Sequence, residues 1–503
     1  MTQTQTLAML KRKWATRPLA VFACGFCLLL SLGIGCKSPQ VCCNPHYIAN
    51  EIHCRTSVSI EKVQPCSEVI PPGVVLEDGL DEVEAVATGL ANNSLFQAAL
   101  AQLGMAGGDA VQASLIANPQ VQLYFPSGAK EGQYTIYAPI ESYFLRPTRV
   151  KVANREYRRI GDQLVQNGLN VARDIRLAYI DLALVTEQSR LAKEAVEIRQ
   201  GIANLTRDRF KDGDISELET IASKVDALNA KAIEGVQQQN VSISRARLAS
   251  LLGIPTVNTP LVPTTLETIS VPEHDEQQLI ETALACRPDY HAARWAIAAA
   301  SERSHLARWI FWRADSVVDV RHGQDYTRTG TGLRFDLPIF NRNQGGILRA
   351  DWELNAAMHN RDAIRDQIYQ DVRVACRQLS QAKANLTILE TDVLPNLSEA
   401  VSIAEKGFAD GGTDYLLVLQ TTTLYLDARA RILDQRAMLK RAVAELERSV
   451  GRSLDATPLD VSEMLSETAP NDVPKEQRVS QLDKTKFQQL QVLSTTIDST
   501  QSK

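Results

Sequence analysis

A ten-residue segment that occurs twice constrains this chain more than any other feature. Residues 209–218 (RFKDGDISEL) recur 198 positions later as residues 407–416 (GFADGGTDYL), and residues 174–178 (DIRLA) recur 197 positions later as residues 371–375 (DVRVA). Repetition at this spacing indicates two long duplicated units, each with a glycine turn between two helical stretches. These helical stretches are far longer than a compact globular core requires, so we predict a duplicated protein of long helices.

Composition excludes one class of partner. The chain has 503 residues, 6% aromatic residues and a formal net charge of −5. Low aromatic content with abundant Ala, Leu, Gln and Arg is typical of long helices rather than compact sheets. The sequence has no basic stripe interleaved with aromatic residues, so we expect no nucleic-acid partner.

The N-terminus has the pattern of an export signal. Basic residues at positions 11–17 precede the apolar run 19–34, which predicts a signal peptide over residues 1–35. Cys36 follows Leu-Gly-Ile-Gly, at the place where a bacterial lipoprotein carries its acylated cysteine. Lipidation of Cys36 would hold the N-terminus at a membrane surface without spanning the membrane. Ordinary cleavage or retention of the segment is the alternative.

Residues 36–80 are expected to be a cysteine-containing extension or linker. Its clustered cysteines are Cys42, Cys43, Cys54 and Cys66. Outside the cytosol such a cluster forms two disulfides more often than a metal site. His46 and His53 lie among these cysteines, which leaves zinc or copper binding as the alternative. The spacing matches no familiar zinc finger, and we expect neither a metal nor a cofactor.

The first predicted repeat covers residues 81–254. It begins with helical sequence over residues 81–115, followed by alternating apolar and polar residues over 121–125 and 134–140 that predict a β-hairpin with one apolar and one polar face. A long helix is expected from residue 149 to residue 209. Apolar residues recur every seven positions on two different sides of this helix, which indicates neighbours on both flanks.

A linker over residues 255–274 leads to the second predicted repeat, residues 275–454, which has the same plan. Here Arg287-Pro288-Asp289-Tyr290 aligns with Asn92-Asn93-Ser94-Leu95. Strands are expected over 313–321 and 333–339, around a polar loop at 323–330. A second long helix over 343–408 should kink at Pro395, because proline removes one backbone hydrogen bond. The return helix should end near Val450, and the polar residues 455–503 are predicted to be disordered.

Four amphipathic strands cannot close a membrane barrel, because such a barrel leaves no unpaired edge and starts at about eight strands. Two chains would supply eight strands, whose interior fills with side chains, whereas three chains would supply twelve and leave a channel. We therefore predict a homotrimer in a membrane. The alternative is that the hairpins belong to a soluble sheet.

The order of these elements resembles that of the TolC-like outer membrane factors of tripartite efflux and type I secretion systems, over residues 81–454. Six pieces of sequence carry the resemblance: the strand-to-helix junctions at 138–141 (APIE) and 337–345 (LPIFNRNQG), the RPD motif at 287–289, the turns at 210–218 and 408–416, and the end-of-unit motif at 251–255 (LLGIP). Their order and duplication make the match specific.

This resemblance implies a mainly α-helical fold with a β-barrel portion. Three chains would form a twelve-stranded barrel in the outer membrane and a twelve-helix periplasmic tunnel. It also implies that the glycine turns contact a periplasmic adaptor (membrane fusion) protein, itself coupled to an inner-membrane pump. The expected adaptor-contacting residues are Phe210, Gly213, Ser216, Leu218, Phe408, Gly411, Thr413 and Leu416. The alternative for the two glycines is that they merely supply left-handed turn residues.

Charge near the second turn suggests a departure from some relatives. Those relatives close the tunnel with aspartate rings, but residues 416–420 are Leu-Leu-Val-Leu-Gln in this chain. Gating by such a ring is therefore not expected. Asp410 and Asp414 lie nearer the turn and are candidates for negative charge at the entrance.

An enzyme is not expected, since the sequence has no Gly-x-Ser-x-Gly, His-Glu-x-x-His or phosphate-loop motif. The expected function is an outer membrane channel that conducts substrate from adaptor and pump to the exterior. The alternative is a non-conducting coiled-coil lipoprotein scaffold of the cell envelope. The junction at 341–345 (NRNQG) is similar to that of heavy-metal efflux relatives, which favours cations as substrates.

Overall fold

The computed structural model describes residues 45–56, 71, 74, 79–125, 132–255, 261–263, 275–322 and 327–454. Several predictions lie outside these residues: the signal peptide, the acylation site Cys36, the cysteines Cys42, Cys43 and Cys66, most of both linkers, and the C-terminal tail. The described residues are mainly helical and contain one antiparallel sheet.

In chain order the elements are α1 (Pro45–Thr56), α2 (Glu82–Asn92), α3 (Ser94–Ser114), β1 (Gln120–Tyr124), β2 (Gly132–Pro139), α4 (Glu141–Asp212), α5 (Glu217–Leu251), α6 (Glu276–Cys286), α7 (Pro288–Ala307), β3 (Ala314–His322), β4 (Thr327–Phe335), α8 (Gln344–Ile388), a π-helical turn (Leu389–Val393), α9 (Leu394–Ala409) and α10 (Tyr415–Val450). Two compact units result. The described parts of Gly107–Asn154 and His305–Gln344 form the sheet unit, and those of Cys43–Ala106, Arg155–Ser304 and Gly345–Lys503 form the helical unit.

The sheet unit contains both predicted hairpins, joined edge to edge. Its strand order is β1-β2-β3-β4, and every neighbouring pair is antiparallel. The central pairing joins the two repeats, with Thr135 of β2 opposite Asp319 of β3. The hairpin predictions are therefore confirmed, and the duplication brings the two hairpins into one sheet.

The two faces of the sheet differ as the alternation predicts. One face carries exposed apolar side chains, among them Val121, Leu123, Ile136, Val318 and Leu333. On the opposite face, the Asp319 carboxylate accepts hydrogen bonds from Gln133 Nε2 and Thr135 Oγ1, both at 2.9 Å. The prediction of one apolar and one polar face is confirmed.

The position predicted for the fourth strand is wrong. β4 is Thr327–Phe335, so it begins inside the predicted loop and ends before the predicted end at residue 339. Gly330 lies opposite Asp319, and Gly332 lies opposite Val317. Pairing with β3 along the whole of β4 outweighs the low strand propensity of these glycines. Pro338 has no N–H for the ladder, which explains why the strand does not continue.

The start predicted for the first long helix is also wrong. α4 is 72 residues long and begins at Glu141, with Pro147 in its second turn. Local bonds fix this start, since the Glu141 carboxylate accepts from the Ala314 N–H (3.2 Å) and the Ser142 hydroxyl donates to the Pro139 carbonyl (2.8 Å). Pro147 removes one helical hydrogen bond without ending the helix.

A polar ladder holds α4 antiparallel to α10 in the helical unit. Its pairs are Arg173 with Glu445 (3.1 Å), Asp181 with Arg441 (2.5 Å), Gln188 with Asp434 (2.9 Å) and Glu194 with Arg429 (2.5 Å). On another side, Arg199 of α4 forms an ion pair with Asp226 of α5. The prediction that this helix has neighbours on two flanks is confirmed.

The predicted kink at Pro395 takes the form of the π-helical turn. The Leu394 N–H donates to the carbonyl of Leu389, five residues earlier. Pro395 lacks the N–H that would bond the Thr391 carbonyl, and a widened turn relieves the clash between that carbonyl and the proline ring. The helical path therefore continues through the proline.

Each repeat has an extended residue between its first two helices. These residues are Asn93 (φ −62°, ψ 115°) and Arg287 (φ −67°, ψ 123°). The sequence alignment, which paired Arg287 with Asn92, is wrong by one residue, because Pro288 opens α7 as Ser94 opens α3.

At the end of each repeat, a glycine with positive φ packs against the extended segment between the first two helices. An added Cβ on Gly253 (φ +72°) would lie 2.5 Å from the Asn92 carbonyl oxygen, and one on Gly451 (φ +83°) would lie 3.2 Å from Arg287 Cα. The two repeats therefore end in the same close backbone contact.

The N-terminal extension contains a helix that the sequence did not predict. In α1, Ile48 and Ile52 are fully buried, and Arg55 donates to the carbonyls of Gly451 (3.1 Å) and Cys286. Cys54 is exposed and forms no disulfide with another described residue. Part of the extension is thus a packed element of the helical unit rather than a linker.

Candidate functional site

The predicted turns are two helix ends of the same design. After α4, Gly213 adopts φ +82°, the Asp214 N–H donates to the Arg209 carbonyl (2.9 Å), and the Gly213 N–H donates to the Phe210 carbonyl (3.1 Å). This pair of bonds is a Schellman motif, which requires a left-handed residue that glycine adopts without a Cβ clash.

The second turn repeats this geometry 198 residues later. Gly411 adopts φ +79°, the Gly412 N–H donates to the Gly407 carbonyl (2.8 Å), and the Gly411 N–H donates to the Phe408 carbonyl (3.2 Å). The segments that repeat in the sequence therefore form two turns with the same backbone conformation and the same pair of hydrogen bonds. We call the two turns, residues 209–219 and 407–418, the first and second tip.

The two tips differ in how the following helix begins. Ser216 starts α5 with a capping box, in which the Glu219 N–H donates to Ser216 Oγ (3.3 Å) and the Ser216 N–H donates to the Glu219 carboxylate (2.9 Å). That backbone donor lowers the pKa of Glu219. Asp414 occupies the same position before α10 but makes no side-chain cap hydrogen bond. The first tip is therefore the more firmly capped.

Arg209 joins the first tip to the second. Its Nη1 donates to the Phe408 carbonyl (2.9 Å), and its guanidinium lies 4.8 Å from the centre of the Phe408 ring. This contact combines a charged hydrogen bond with a cation–π interaction. The duplicated position holds Gly407, where an added Cβ would lie 2.7 Å from Thr413 Cγ2. An arginine therefore fits at this position in the first tip, and a glycine fits in the second.

The tip residues predicted from sequence are not equally accessible. Phe408 is only 2% exposed and packs in a cluster with Ala404, Tyr415 and Val418. Its counterpart Phe210 is 42% exposed.

The other predicted tip residues divide as follows. Leu218 and Leu416 are 76% and 63% exposed, Gly213, Ser216, Gly411, Asp410 and Asp414 are also exposed, and Thr413 is half-buried with its hydroxyl donating to the Ala404 carbonyl (3.2 Å). The structure thus groups apolar side chains and carboxylates on the outside of two turns that Phe408 and Thr413 support from within.

The second tip contains a buried tyrosine, Tyr415, that sequence reasoning did not single out. Burial raises the pKa of Tyr415 to about 12, and the Asp226 carboxylate acts in the same direction. The Tyr415 hydroxyl has no hydrogen-bond partner among the described residues. Tyr415 directly follows Asp414, which precedes α10. Its position next to this residue is the feature of the sequence that could have identified it.

The described residues contain no group of three or more His, Cys, Asp or Glu side chains arranged to hold a metal ion. None of the helices in the described ranges has the length and apolar character needed to cross a membrane.

Comparisons with known proteins agree with this architecture. Residues 279–452 match the family model described as outer membrane efflux protein. The cobalt-zinc-cadmium resistance protein CzcC of Cupriavidus metallidurans is 24% identical over 381 residues, which cover 73% of this chain and 89% of CzcC. The nickel-cobalt-cadmium resistance protein NccC of Alcaligenes xylosoxydans xylosoxydans is 26% identical over 330 residues, covering 62% of this chain and 71% of NccC.

Among solved structures, the outer-membrane channel OprN has the same fold. It superposes with a TM-score of 0.65 at 17% identity, and the match covers 79% of this chain and 99% of that chain. The predicted fold class, long duplicated helices with two β-hairpins in each chain, is confirmed.

Proposed function

We propose that the chain belongs to the outer membrane efflux protein family, whose model matches residues 279–452, and that it is the outer membrane channel component of a tripartite efflux system. One observation of the structure supports this proposal above the others. It is the four-stranded sheet with one exposed apolar face, which the duplication assembles from both repeats.

The two edge strands of this sheet need hydrogen-bond partners, which further copies of the chain would supply. Among the described strands, β1 and β4 each pair on one side only. A membrane offers no water to satisfy the free N–H and C=O groups of such edges, so the sheet must close on itself. Three copies joined edge to edge supply twelve strands, enough for a barrel with an open interior. The proposed assembly is therefore a homotrimer in the outer membrane.

The tips are the proposed contact with a periplasmic adaptor protein. Leu218 and Leu416 expose more than half of their side-chain surface, and Phe210 exposes 42%. Exposed apolar side chains beside carboxylates fit a protein partner with an apolar and basic counterpart. Gly213, Ser216, Gly411 and Thr413 shape the turns, and Phe408 acts from beneath by holding Arg209.

The proposed cargo is a divalent transition-metal cation delivered by the pump. The two curated relatives carry cobalt, zinc, cadmium and nickel resistance in their names. Asp410 and Asp414 place negative charge on the exposed second tip, where it would attract such cations at the entrance. Acylation of Cys36 remains part of the proposal, as a second attachment to the outer membrane.

Deletion of the gene followed by complementation tests this function. We expect loss of resistance to cobalt, zinc or cadmium and its recovery with the wild-type chain, which should migrate as a heat-resistant trimer in the outer-membrane fraction. Leu218→Ser with Leu416→Ser should keep the trimer but abolish resistance, because the adaptor contact is lost. Leu95→Ser changes a residue that is 80% exposed outside the tips and serves as the matched control. A monomeric protein without effect on resistance would support the scaffold alternative.

A further inference from the structure

The charged side chains of β3 and β4 lie on one face of the sheet. Side chains alternate along a strand, so cross-strand pairs at every second position share a face. Asp319 accepts hydrogen bonds from Gln133 and Thr135, which identifies its face as the polar one. On the proposed function the apolar face meets lipid, and the polar face therefore lines the barrel interior. The charged residues of β3 and β4 on this face are Asp315, Asp319, Arg321, Arg328 and Arg334.

At one end of this face the charges are matched. Arg334 lies opposite Asp315, with its Nε 3.9 Å from the Asp315 carboxylate. Its guanidinium also lies 5.3 Å from the centre of the Tyr137 ring. An opposite-charge pair of this kind stabilises neighbouring strands. The positive charge of Arg334 is therefore balanced within the sheet.

At the other end two arginines lie opposite each other. Arg321 of β3 pairs with Arg328 of β4. Like charges in directly opposite positions destabilise a pair of strands. Asp319 supplies one negative charge nearby, since Arg321 Nε donates to its carboxylate at 2.9 Å. Two positive charges thus accompany one negative charge, which leaves one positive charge of each chain unbalanced at this end of β3 and β4.

Asp319 leaves part of the Arg321 guanidinium unused. Its Oδ1 accepts from Gln133 Nε2 and Thr135 Oγ1, and its Oδ2 accepts from Arg321 Nε. The Arg321 side chain is 54% exposed, and among the described residues its two Nη groups have no hydrogen-bond acceptor. Arg328 is exposed as well. The pair therefore presents unused donors and positive charge to the barrel interior.

This pair lies at the end of the strands away from the start of α4. Arg321 is next to last in β3 and Arg328 is second in β4, so both lie where these two strands connect. β2 ends at Pro139, opposite Asp315 near the start of β3, and α4 begins there. On the proposed function the helices are periplasmic, so the arginine pair lies at the extracellular end of the barrel.

Three chains would place three such pairs around the barrel. Twelve strands at a spacing of about 4.8 Å and a tilt near 40° give a barrel radius of roughly 12 Å. Arginine side chains project inward from this wall, and electrostatic interactions extend over about 8 Å at physiological salt. The guanidinium groups of Arg321 and Arg328 therefore act on ions that pass this end of the barrel. We call these groups in the three chains the arginine ring.

A small oxyanion fits this arrangement. Guanidinium groups form paired, charge-assisted hydrogen bonds with phosphate oxygens. A phosphate between Arg321 and Arg328 replaces their repulsion with two attractive contacts, and its negative charge offsets the unbalanced positive charge. A like-charge pair costs local stability, and such departures from local rules are expected at functional sites.

We propose that the arginine ring binds inorganic oxyanions such as phosphate at the extracellular end of the barrel interior, and that the bound anion favours the passage of cations. Without the anion, the positive charge of the ring attracts small anions and repels cations. With the anion bound, the ring is neutral or negative. The proposal rests on the proposed channel function and adds a regulatory ligand to it.

The ratio of K⁺ to Cl⁻ permeability measures the charge of the ring. The purified protein is inserted into phosphatidylcholine bilayers, which contain no lipid of net negative charge. The reversal potential is recorded in a KCl gradient, with inorganic phosphate in both chambers or with potassium gluconate at the same ionic strength. Phosphate should raise the permeability ratio of wild type roughly fivefold, because neutralising three unit charges about 8 Å from the passing ions affects K⁺ and Cl⁻ in opposite directions.

Three variants test whether the opposed arginines form the binding site. Arg328→Gln and Arg321→Gln each remove one arginine of the pair, so both should show a raised ratio in gluconate that phosphate no longer changes. Arg334→Gln is the matched control, because it removes one positive charge from the same face of β4 but leaves the pair intact. Phosphate should still raise its ratio as in wild type. All three side chains are exposed, so the variants should assemble like wild type.

The outcomes separate the arginine ring from the channel. If the protein conducts but phosphate leaves the permeability ratio of wild type unchanged, the ring proposal is wrong and the channel proposal stands. If Arg334→Gln loses the phosphate response as well, the general charge of the interior acts instead of the pair, which also refutes the ring. A response that persists in Arg321→Gln and Arg328→Gln refutes it too. A protein that conducts no ions overturns both proposals.

Discussion

Arg287 is expected to be the most sensitive position in the helical unit. Its side chain is 3% exposed and forms ion pairs with Asp289 (2.5 Å) and Asp371 (2.9 Å). Removal of one partner of a buried ion pair costs about 3–5 kcal/mol, because the remaining charge stays buried. Asp371 retains Arg448 (3.2 Å), so Arg287→Met should lower the free energy of unfolding by about 3 kcal/mol, at the low end of that range.

Urea unfolding of the purified protein, followed by circular dichroism, measures this cost. Arg373→Met is the matched control, because Arg373 pairs with Glu276 at 3.4 Å but is 61% exposed. Such a surface pair contributes about 0–1 kcal/mol. Equal effects of the two substitutions would refute the argument that burial at the helix break decides the cost.

Acid should reduce the difference between wild type and Arg287→Met. Burial raises the pKa of Asp371, but hydrogen bonds from Arg287 and Gln367 outweigh it, and the net shift is downward. A carboxyl group whose pKa is lower in the folded state stabilises the fold at pH values above its pKa in the unfolded chain. This stabilisation is lost as the pH falls through the pKa of the folded state. The difference in free energy of unfolding between wild type and Arg287→Met should therefore be largest at neutral pH and should decrease below about pH 4. A gap that stays constant down to acid pH would contradict this assignment.

Three further substitutions test other parts of the structure. Gly411→Ala places a side chain at φ +79° and should lower the free energy of unfolding by about 1–2 kcal/mol. Gly235→Ala lies within α5, where no atom is near an added Cβ, and should raise the free energy of unfolding by up to about 1 kcal/mol. Melting temperatures that fall equally in the two variants would contradict this. Burial raises the pKa of Asp162 to about 7, although the positive charge of Arg55 acts in the opposite direction. The wild-type protein should therefore gain stability as the pH falls from 8 to 5, whereas Asp162→Asn should show no such gain. A gain of the same size in the variant would refute the raised pKa. Asp410→Asn with Asp414→Asn should weaken the block of conductance by divalent cations, and an unchanged block would remove these residues from the entrance.

The tips could be predicted from sequence because their geometry is local. A Schellman turn needs a left-handed residue after the helix and two short-range hydrogen bonds, so the glycines at 213 and 411 identify both turns. The link between the tips could not be predicted. Arg209 and Phe408 are 199 residues apart, and no local rule states which carbonyl an arginine will reach.

The strand and helix limits were mispredicted where tertiary contacts overrule propensity. Glycines at 330 and 332 and proline at 147 are typical of breaks, yet β3 pairs with the whole of β4, and α4 continues through its proline. The helix α1 was missed because the cysteines around it suggested a linker. Its buried face, Ile48 and Ile52, is too short to give a periodic signal.

The burial of Arg287 was also beyond the sequence. The Arg-Pro-Asp motif marked a conspicuous position, but Asp371, the partner that makes the arginine buried and paired, lies 84 residues further along the chain. Sequence patterns locate such a residue without indicating what surrounds it.

Single-channel recording in planar lipid bilayers tests the central claim most directly. If three copies of the four-stranded sheet close into a barrel with an open interior, as we propose, the purified wild-type protein should insert and produce discrete, stepwise ion conductance. A protein that forms the trimer and inserts but passes no current would contradict the channel function and favour the scaffold.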